Sequence, residues 1–211
     1  ELGLGMRRAI IIAALLVALI LHFTPSTTPF SPYNTGPEGL SKLASVCTFA
    51  GNASVVILAP GASIYGVRAA ETPIADPIAN AGDPYVIIAS AGGTAVLAAN
   101  ATPLIGPGKP VVVTGPASYA NNSFGPFALG LVVGNVTIYH ASLFVNRVFD
   151  SNKQFISRIC RGPVRLVLSG GDLAHYYHQL EAAAAPWAAA FILAATSLYL
   201  PAKSAQRRPP T

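Results

Sequence analysis

Two long uncharged apolar runs, one near each end of the chain, dominate the hydropathy pattern. The first, residues 9–23, reads AIIIAALLVALILHF, and the second, residues 182–200, reads AAAAPWAAAFILAATSLYL. Trp187 and Tyr199 lie near the two ends of the second run, where aromatic residues are typical of a lipid–water interface. The pattern predicts two transmembrane helices.

Each run also has a second interpretation. As a helix, residues 9–23 rise only about 22 Å, less than the roughly 30 Å of the hydrocarbon core, so they also fit the apolar part of a signal peptide. The sequence HFTPSTTPF that follows lacks the small-residue pattern of a cleavage site, which favours an uncleaved signal anchor. Residues 182–200 would also suit a buried alanine-rich helix.

The pattern between the two runs predicts a single α/β domain. Strands are predicted at residues 54–59, 94–99, 111–114 and 164–168, with one or two more at 129–140 around Gly134. Helices are predicted at 37–49, at 84–91, and after the capping box Ser151–Gln154 as far as Gly162. Strands alternating with helices predict a flavodoxin-like, mostly parallel sheet covered on both faces.

Residues 84–91 are the ambiguous segment of this prediction. Their intrinsic propensity favours a strand, because the sequence PYVIIASA is rich in β-branched residues. Asp83 and Pro84 nevertheless resemble the start of a helix, and Gly92 and Gly93 resemble its end. We therefore predict a helix here.

Charge then predicts the topology. Arg7 and Arg8 precede the first run, and Lys203, Arg207 and Arg208 follow the second, so the positive-inside rule places both termini in the cytoplasm. The predicted organisation is a cytoplasmic tail 1–8, a signal anchor 9–23, an extracytoplasmic domain 24–181, a membrane helix 182–200 and a basic cytoplasmic tail 201–211.

The overall charge does not indicate a nucleic-acid partner. The chain has 13 Lys+Arg against 8 Asp+Glu, a net charge of +5, and only 10% charged residues. Five of the 13 cations belong to the two tails, which leaves the middle of the chain nearly neutral. We read the positive charge as a topology signal and predict the lipid bilayer, not nucleic acid, as a partner.

Two features of the middle segment are typical of an extracytoplasmic domain. Glycosylation sequons occur at Asn52, Asn100, Asn121 and Asn135, although an excess of sequons also arises in Ser/Thr-rich loops. The only two cysteines, Cys47 and Cys160, suggest a disulfide, with two buried thiols as the alternative.

Several short motifs resemble one protein family. They are SPYNTGPEGL at Ser31–Leu40, the strand VVILAP, AGGTAVLA at Ala91–Ala98, FDSN at Phe149–Asn152 and GPV at Gly162–Val164, between an apolar anchor and a terminal membrane helix. This order resembles a family of membrane-anchored proteins of uncharacterised function. Their central domain is similar to class I glutamine amidotransferases, and they are related to auxiliary proteins of gliding-type ABC transporters. Members are often encoded beside MoxR-type AAA ATPases.

The resemblance implies an amidotransferase-like domain that has lost its catalytic residues. Neither cysteine has the G-x-C-x-G context of a nucleophile elbow, and the chain contains no G-x-S-x-G pentapeptide. Ser169-Gly170-Gly171-Asp172 follows the last predicted strand but lacks the elbow spacing. No Walker A or dinucleotide-binding motif occurs either, so we predict no enzyme activity, no cofactor and no metal.

The densest polar and aromatic group precedes the second apolar run. It consists of Asp172, His175, Tyr176, Tyr177 and His178. At positions i and i+3 of a helix, His175 and His178 would share a face that could bind a metal, but the sequence identifies no third ligand. An interfacial collar of Tyr and His beside a membrane helix is the simpler interpretation, and partner binding is the other.

Ser31, Tyr33 and Asn34 also have two interpretations. They fit an Asx-type turn that leads into the first helix, or the lining of a cleft at the carboxyl ends of the strands. Together these features predict a non-enzymatic, membrane-anchored binding or scaffold domain in a complex with other membrane or surface proteins, including a MoxR-type ATPase system. The alternatives are an auxiliary subunit of an ABC-type export system and a hydrolase with an unrecognised site.

Overall fold

The computed structural model describes residues 4–78 and 82–185 of the chain. These residues form two compact units. One contains residues 4–24 and 176–185, and the other is Pro25–His175. Residues 186–200 of the second predicted membrane helix and the predicted tail 201–211 lie outside the described residues.

The helices of the described chain are short, apart from those near its two ends. They are α1 Leu4–Phe23, α2 Ser41–Ala44, α3 Asn146–Phe149 and α4 Lys153–Ile159, with a 3-10 turn at Ala141–Leu143. Residues 173–185 are also helical and are called the C-terminal helix below.

Twelve strands make up the rest of the regular structure in the described residues. They are β1 Val55–Leu58, β2 Ser63–Ile64, β3 Val67–Ala69, β4 Val86–Ala91, β5 Thr94–Ala99, β6 Leu104–Ile105, β7 Lys109–Thr114, β8 Tyr119–Ala120, β9 Ser123–Phe124, β10 Ala128–Val133, β11 Val136–His140 and β12 Val164–Val167.

Seven of these strands form the main sheet of the Pro25–His175 unit, in the order β12-β1-β11-β10-β7-β4-β5. Only β12, β1 and β11 run parallel to one another, and the other neighbouring pairs are antiparallel. The prediction of a mixed α/β fold is therefore confirmed. The prediction of a flavodoxin-like, mostly parallel sheet is wrong, because the sheet is mostly antiparallel.

The antiparallel part arises from hairpins. β4 and β5 are joined by Gly92 and Gly93, whose φ angles are 57° and 84°. Positive φ at both central residues suits a two-residue hairpin turn, since its twist matches that of the strands. The turn at Gly134 likewise joins β10 to β11, as the sequence predicted, and both connections return the chain antiparallel to itself.

The main sheet is buried on both faces. β1 shows this most clearly, because Ile57 belongs to one core cluster while Val56 and Leu58 belong to another. The Ile57 face packs against the short helices, with Leu43, Val148 and Ile156 in the same cluster. The opposite face is covered by a three-stranded sheet, β2-β3-β6, rather than by helices.

Two predicted helices are largely absent. Residues 84–91 form strand β4, because the carboxylate of Asp83 accepts a hydrogen bond from the Tyr85 backbone N–H in a turn and Gly92-Gly93 then closes a hairpin. Within 37–49, only Ser41–Ala44 is helical. Ahead of it, the chain is held in a tight loop by backbone hydrogen bonds such as Leu40 N–H to Ser31 carbonyl oxygen, 2.9 Å.

The helix after residue 151 is confirmed, but its capping box is not. α4 begins at Lys153, and Asn152 occupies the N-cap position without a side-chain capping bond. The Asn152 amide instead bonds the backbone of Leu97 in β5 and donates to the Leu143 carbonyl, so it ties α4 to the sheet. The helix ends at Ile159 rather than at Gly162.

Cys47 and Cys160 form the disulfide that the sequence suggested, with their Cα atoms 4.9 Å apart. The two residues meet because the chain after Cys47 runs beside β12. Phe49 forms a parallel bridge with Val164, and the Val164 N–H donates to the Thr48 carbonyl over 2.9 Å. The disulfide therefore joins the segment that follows α2 to the C-terminal end of α4.

The other unit joins α1 to the C-terminal helix through polar contacts. His22 Nδ1 lies 2.8 Å from Glu181 Oε1, and His178 Nε2 lies 2.9 Å from the Thr24 carbonyl oxygen. Large apolar side chains of α1 are 54% to 65% exposed, at Ile12, Leu15, Leu16, Val17, Leu19 and Ile20. Among residues 4–78 and 82–185, no helix combines the length and the apolar character needed to cross a membrane.

Candidate functional site

The candidate site lies at the carboxyl ends of the parallel strands β1, β11 and β12. The segment that follows β12, Ser169–Asp172, leads directly into the C-terminal helix. Ends of parallel strands are where α/β sheets place their ligand crevices, because loops diverge there. The structure brings both predicted groups of binding residues to this region of the Pro25–His175 unit, except Tyr176 and His178.

Ser31 and His175 form the centre of the cluster. The Ser31 Oγ lies 2.7 Å from His175 Nδ1, and the two residues are only 0% and 2% exposed. The Ser31 Oγ also accepts a hydrogen bond from the Tyr33 backbone N–H, 3.1 Å. The Tyr33 ring packs on the imidazole with a centroid distance of 5.6 Å. The contact between the serine and the imidazole is therefore closed to solvent.

Asp172 joins the last segment of this unit to the first. Its carboxylate accepts hydrogen bonds from Ser26 Oγ, from the backbone N–H groups of Thr27 and Thr28, and from Thr27 Oγ1. It also accepts from the His175 backbone N–H, 2.7 Å away, as a residue at the start of a helix does. Burial raises the pKa of this carboxyl, but the hydrogen bonds outweigh it and hold the pKa below its usual value.

Asn34 has the structural role that one of its two interpretations predicted. Its Oδ1 accepts from the Gly36 N–H over 2.8 Å, which is an Asx turn, and its amide donates to the Thr28 carbonyl over 3.0 Å. Asn146 donates in turn to the Gly36 carbonyl, 2.7 Å. For Tyr33, burial raises the pKa of the phenol. These contacts fix the loop that carries Ser31.

Tyr176 and His178 belong to the other compact unit. Tyr176 is 50% exposed. His178 contacts the Thr24 carbonyl through Nε2 and Glu181 through Nδ1. The His175–His178 metal pair receives no support, because the described residues contain no group of three or more His, Cys, Asp or Glu side chains able to hold a metal ion.

Gly171 explains how the imidazole of His175 fits. A Cβ atom added to Gly171 would lie 2.3 Å from His175 Cδ2, whereas one added to Gly170 meets nothing within 4 Å. Of these two neighbouring glycines, only Gly171 is required by packing. The sequence singled out this segment as a failed nucleophile elbow, but its glycine is there to admit a histidine ring.

The cluster contains a serine, a histidine and a carboxylate, the three residue types of a catalytic triad. In a catalytic triad the acid orients the imidazole through its second ring nitrogen, and the serine faces the substrate. Here the Asp172 carboxylate accepts hydrogen bonds from Ser26, Thr27, Thr28 and the His175 backbone. Ser31 is fully buried, so no substrate carbonyl reaches its Oγ in this conformation.

A cavity of about 340 Å³ opens beside the end of β1. Its polar lining comes from Arg68, Glu71, Thr72 and Asn121, around Gly61. Ser169 and Glu71 lie close to Gly61. A Cβ atom built on this glycine would lie 3.4 Å from Ser169 Cβ and 3.3 Å from Glu71 Oε1. The four polar residues of this lining are exposed to solvent, unlike Ser31 and His175.

Sequence reasoning missed a second buried histidine, His140 at the end of β11. The Ser142 N–H donates to His140 Nδ1 over 3.2 Å, so Nδ1 is an acceptor and the ring proton belongs on Nε2, 2.9 Å from Thr102 Oγ1. Complete burial lowers the pKa of His140 to about 3. The signal was present, because the alternation of β11 puts His140 on the same face as the buried Ile138.

The four sequons differ in their surroundings. Asn52, Asn121 and Asn135 are exposed, whereas Asn100 is half-buried and its amide donates to the Glu38 carboxylate. A positive φ does not distinguish it, because Asn100 and Asn121 have φ angles of 51° and 48°. The structure therefore separates one sequon from the other three.

Comparisons with models of known protein families, with curated proteins and with solved structures found no match to this chain. The resemblance to the amidotransferase-like, membrane-anchored family stays a prediction made from short motifs.

Proposed function

We propose that this protein is a non-enzymatic binding or scaffold protein, anchored at a membrane by its apolar ends, with Pro25–His175 as its extracytoplasmic part. The observation that supports it best is the complete burial of Ser31 against His175. A nucleophile and its base must both reach a substrate, and both members of this pair are buried, at 0% and 2% exposure. The cluster instead acts as a clasp that joins the first and last segments of the unit.

The binding role is supported by the cavity beside Gly61. Ligand sites in α/β sheets favour the carboxyl ends of strands, and this cavity of about 340 Å³ offers both a cation, Arg68, and an anion, Glu71. Both side chains are exposed, so they are accessible to a partner. A photo-crosslinking residue at Thr72 should therefore yield a defined adduct in cells, and the same residue at the exposed Thr94 in edge strand β5 should not. Equal adducts from both positions, or none from Thr72, would contradict a partner site here.

The identity of the adduct would also distinguish the two forms of scaffold that the sequence raised. A transporter permease at Thr72 would indicate an auxiliary subunit of an export system. A membrane or surface protein that associates with a MoxR-type ATPase would indicate the complex that the family resemblance implies, since the ATPase itself would lie across the membrane from Thr72.

The membrane role is supported by α1. Apolar side chains are exposed on several sides of this helix, from Ile12 to Ile20, and a helix that is apolar all round is typical of a lipid or a buried environment. The Cys47–Cys160 disulfide supports an oxidising, extracytoplasmic location for the other unit.

Cysteine labelling in intact cells tests this arrangement. Thr94→Cys lies on the exposed end of β5 and should react with a membrane-impermeant maleimide before lysis. Ser204→Cys, in the predicted cytoplasmic tail, should react only after the membrane is opened. The reverse order, or extraction of the full chain by alkaline carbonate, would contradict the proposal.

A hydrolase is the second candidate, because a 2.7 Å contact between a serine Oγ and a histidine Nδ1 is also the geometry of an activated nucleophile. A fluorophosphonate probe decides between the two. We expect no covalent labelling of the full chain, and labelling that disappears in Ser31→Ala would establish the hydrolase instead.

A further inference from the structure

A second cavity, of about 420 Å³, has a lining that includes no residue of the strand-end cluster or of the cavity beside Gly61. It is lined by Ala75, Asp76, Pro77, Pro84, Tyr119 and Phe124. The lining is apolar and aromatic apart from one carboxylate, and it contains no Lys, Arg or His side chain among these described residues. Concave apolar surfaces with a single polar group are typical of small-ligand sites.

The aromatic side of this cavity is a tight hairpin. Strands β8 and β9 are joined by Asn121 and Asn122, whose φ angles of 48° and 60° fit a two-residue turn with both central residues left-handed. This turn sets Tyr119 directly opposite Phe124. Their ring centroids are 4.9 Å apart with the planes tilted by 51°, so the two rings present a pre-formed aromatic corner.

The carboxylate side is held firmly against that hairpin. Ala75 and Tyr119 exchange two backbone hydrogen bonds, of 2.9 and 2.7 Å. Asp76 is only 5% exposed, and its carboxylate accepts from Ser118 Oγ over 2.7 Å and from the Ile78 N–H over 3.0 Å. These two donors are neutral, so their hydrogen bonds stabilise a negative charge on Asp76 without cancelling it.

From this geometry we infer a binding site for an alkylated ammonium cation, such as a choline-type group. Aromatic faces attract cations through their quadrupole, and the attraction is strongest for methylated ammonium groups that are weakly hydrated. Pro77 and Pro84 provide apolar surface for the methyl groups, and Asp76 provides the complementary charge. An anion would be repelled by the same carboxylate, and a neutral apolar ligand would gain nothing from it.

The test compares a cation with its neutral isostere. Choline chloride is titrated into the full chain, with binding followed by NMR of the Tyr and Phe ring protons, and 3,3-dimethylbutan-1-ol replaces choline in a parallel titration. We expect saturable shifts with choline and none with the alcohol. Equal shifts from both compounds would reduce the site to an apolar groove and overturn the inference.

Variants assign the binding to this cavity. Phe124 is 73% exposed, so Phe124→Leu keeps an apolar side chain and leaves the core intact while it removes an aromatic face. The affinity for choline should fall roughly 2- to 30-fold, the range expected for a cation–π contact. Tyr119→Phe is the matched control, because it keeps the ring and loses only the hydroxyl bond to Asn122. Unchanged affinity in Phe124→Leu would also overturn the inference.

The same chemistry has two natural sources, a lipid headgroup or a free solute. Vesicles of phosphatidylcholine, compared with vesicles of phosphatidylglycerol, would bind the full chain in a Phe124-dependent way if the source is the bilayer. If glycine betaine or free choline binds in solution and the vesicles do not bind in a Phe124-dependent way, the natural ligand is a solute.

Discussion

Ser31 and His175, which are 144 positions apart in the sequence, place an Oγ and an Nδ1 2.7 Å from each other in the interior of one compact unit. Asp172 lies beside them and binds the backbone of Thr27 and Thr28. The same residue types build catalytic sites elsewhere. Here their burial and their partners make them the connection between the first and last segments of Pro25–His175.

Gly171→Ala should destabilise the protein. The added Cβ would lie 2.3 Å from His175 Cδ2, so the imidazole must move and its bond to Ser31 must stretch. We expect a loss of about 1 to 3 kcal/mol in the free energy of unfolding, measured by chemical denaturation, as for overpacked sites. Gly170→Ala is the matched control because it meets nothing within 4 Å. Equal effects of the two substitutions would contradict this packing.

His140 should make stability depend on pH. Its pKa is about 3 in the folded protein and near 6.5 in the unfolded chain, so the unfolded state binds the extra proton between these values. Stability is therefore fully present above about pH 6.5 and is lost as the pH falls, by at most about 1.4 kcal/mol per pH unit from this group.

NMR of the histidine ring protons measures this directly. The His140 signals should stay constant from pH 8 down to about pH 4, while His140→Gln should flatten the stability profile over pH 4 to 6.5. Below about pH 4 Asp172 adds a second loss, because its lowered pKa keeps the folded carboxylate charged while the same residue in the unfolded chain takes up a proton. A His140 titration midpoint near 6.5 would be incompatible with the buried, neutral ring.

Reduction of the Cys47–Cys160 disulfide should destabilise the protein strongly. The bond closes a loop with a sequence separation of 113, for which the chain-entropy model gives about 4 to 5 kcal/mol. Thermal unfolding should shift down when a reductant is added to the wild type. In Cys47→Ala/Cys160→Ala the reductant should have no effect, and a shift that persists there would point to another cause.

Glycosylation should be selective among the four sequons. We expect glycans at Asn52, Asn121 and Asn135 in a glycosylating host, because these side chains are exposed. Asn100 should stay unmodified, since its amide is bound to Glu38. Mass spectrometry before and after glycosidase treatment measures the occupancy of each sequon. The Asn→Gln variant of each site is the control. Occupancy at Asn100 equal to that at the others would show that the local contact does not limit modification.

The strands were more predictable than their direction. β1, β5 and β12 follow from apolar runs, and the β10–β11 hairpin follows from the turn signal at Gly134. Residues 84–91 show why the direction of the strands could not be predicted. Gly92-Gly93 suits a helix end as well as a hairpin. The pairing of β4 with β7, which joins residues more than 20 positions apart, decides between the two.

The candidate site was partly predictable for the same reason. Ser31, Asp172 and His175 stood out as polar residues near the ends of predicted elements, yet nothing local shows that they form one cluster. Asn152 gives a similar lesson, because its capping-box neighbourhood predicted a helix start while its amide actually binds β5. Local spacing predicts which residues are special, and tertiary contacts determine what they do.

A double-mutant cycle on Ser31→Ala and His175→Gln, combined with fluorophosphonate labelling of the same full-length proteins, tests the central claim most directly. If the pair is a structural clasp, each single variant loses stability, the two losses couple by about 1 to 2 kcal/mol, and no protein is labelled. Additive losses near zero together with labelling that requires both Ser31 and His175 would show that the pair is a catalytic site.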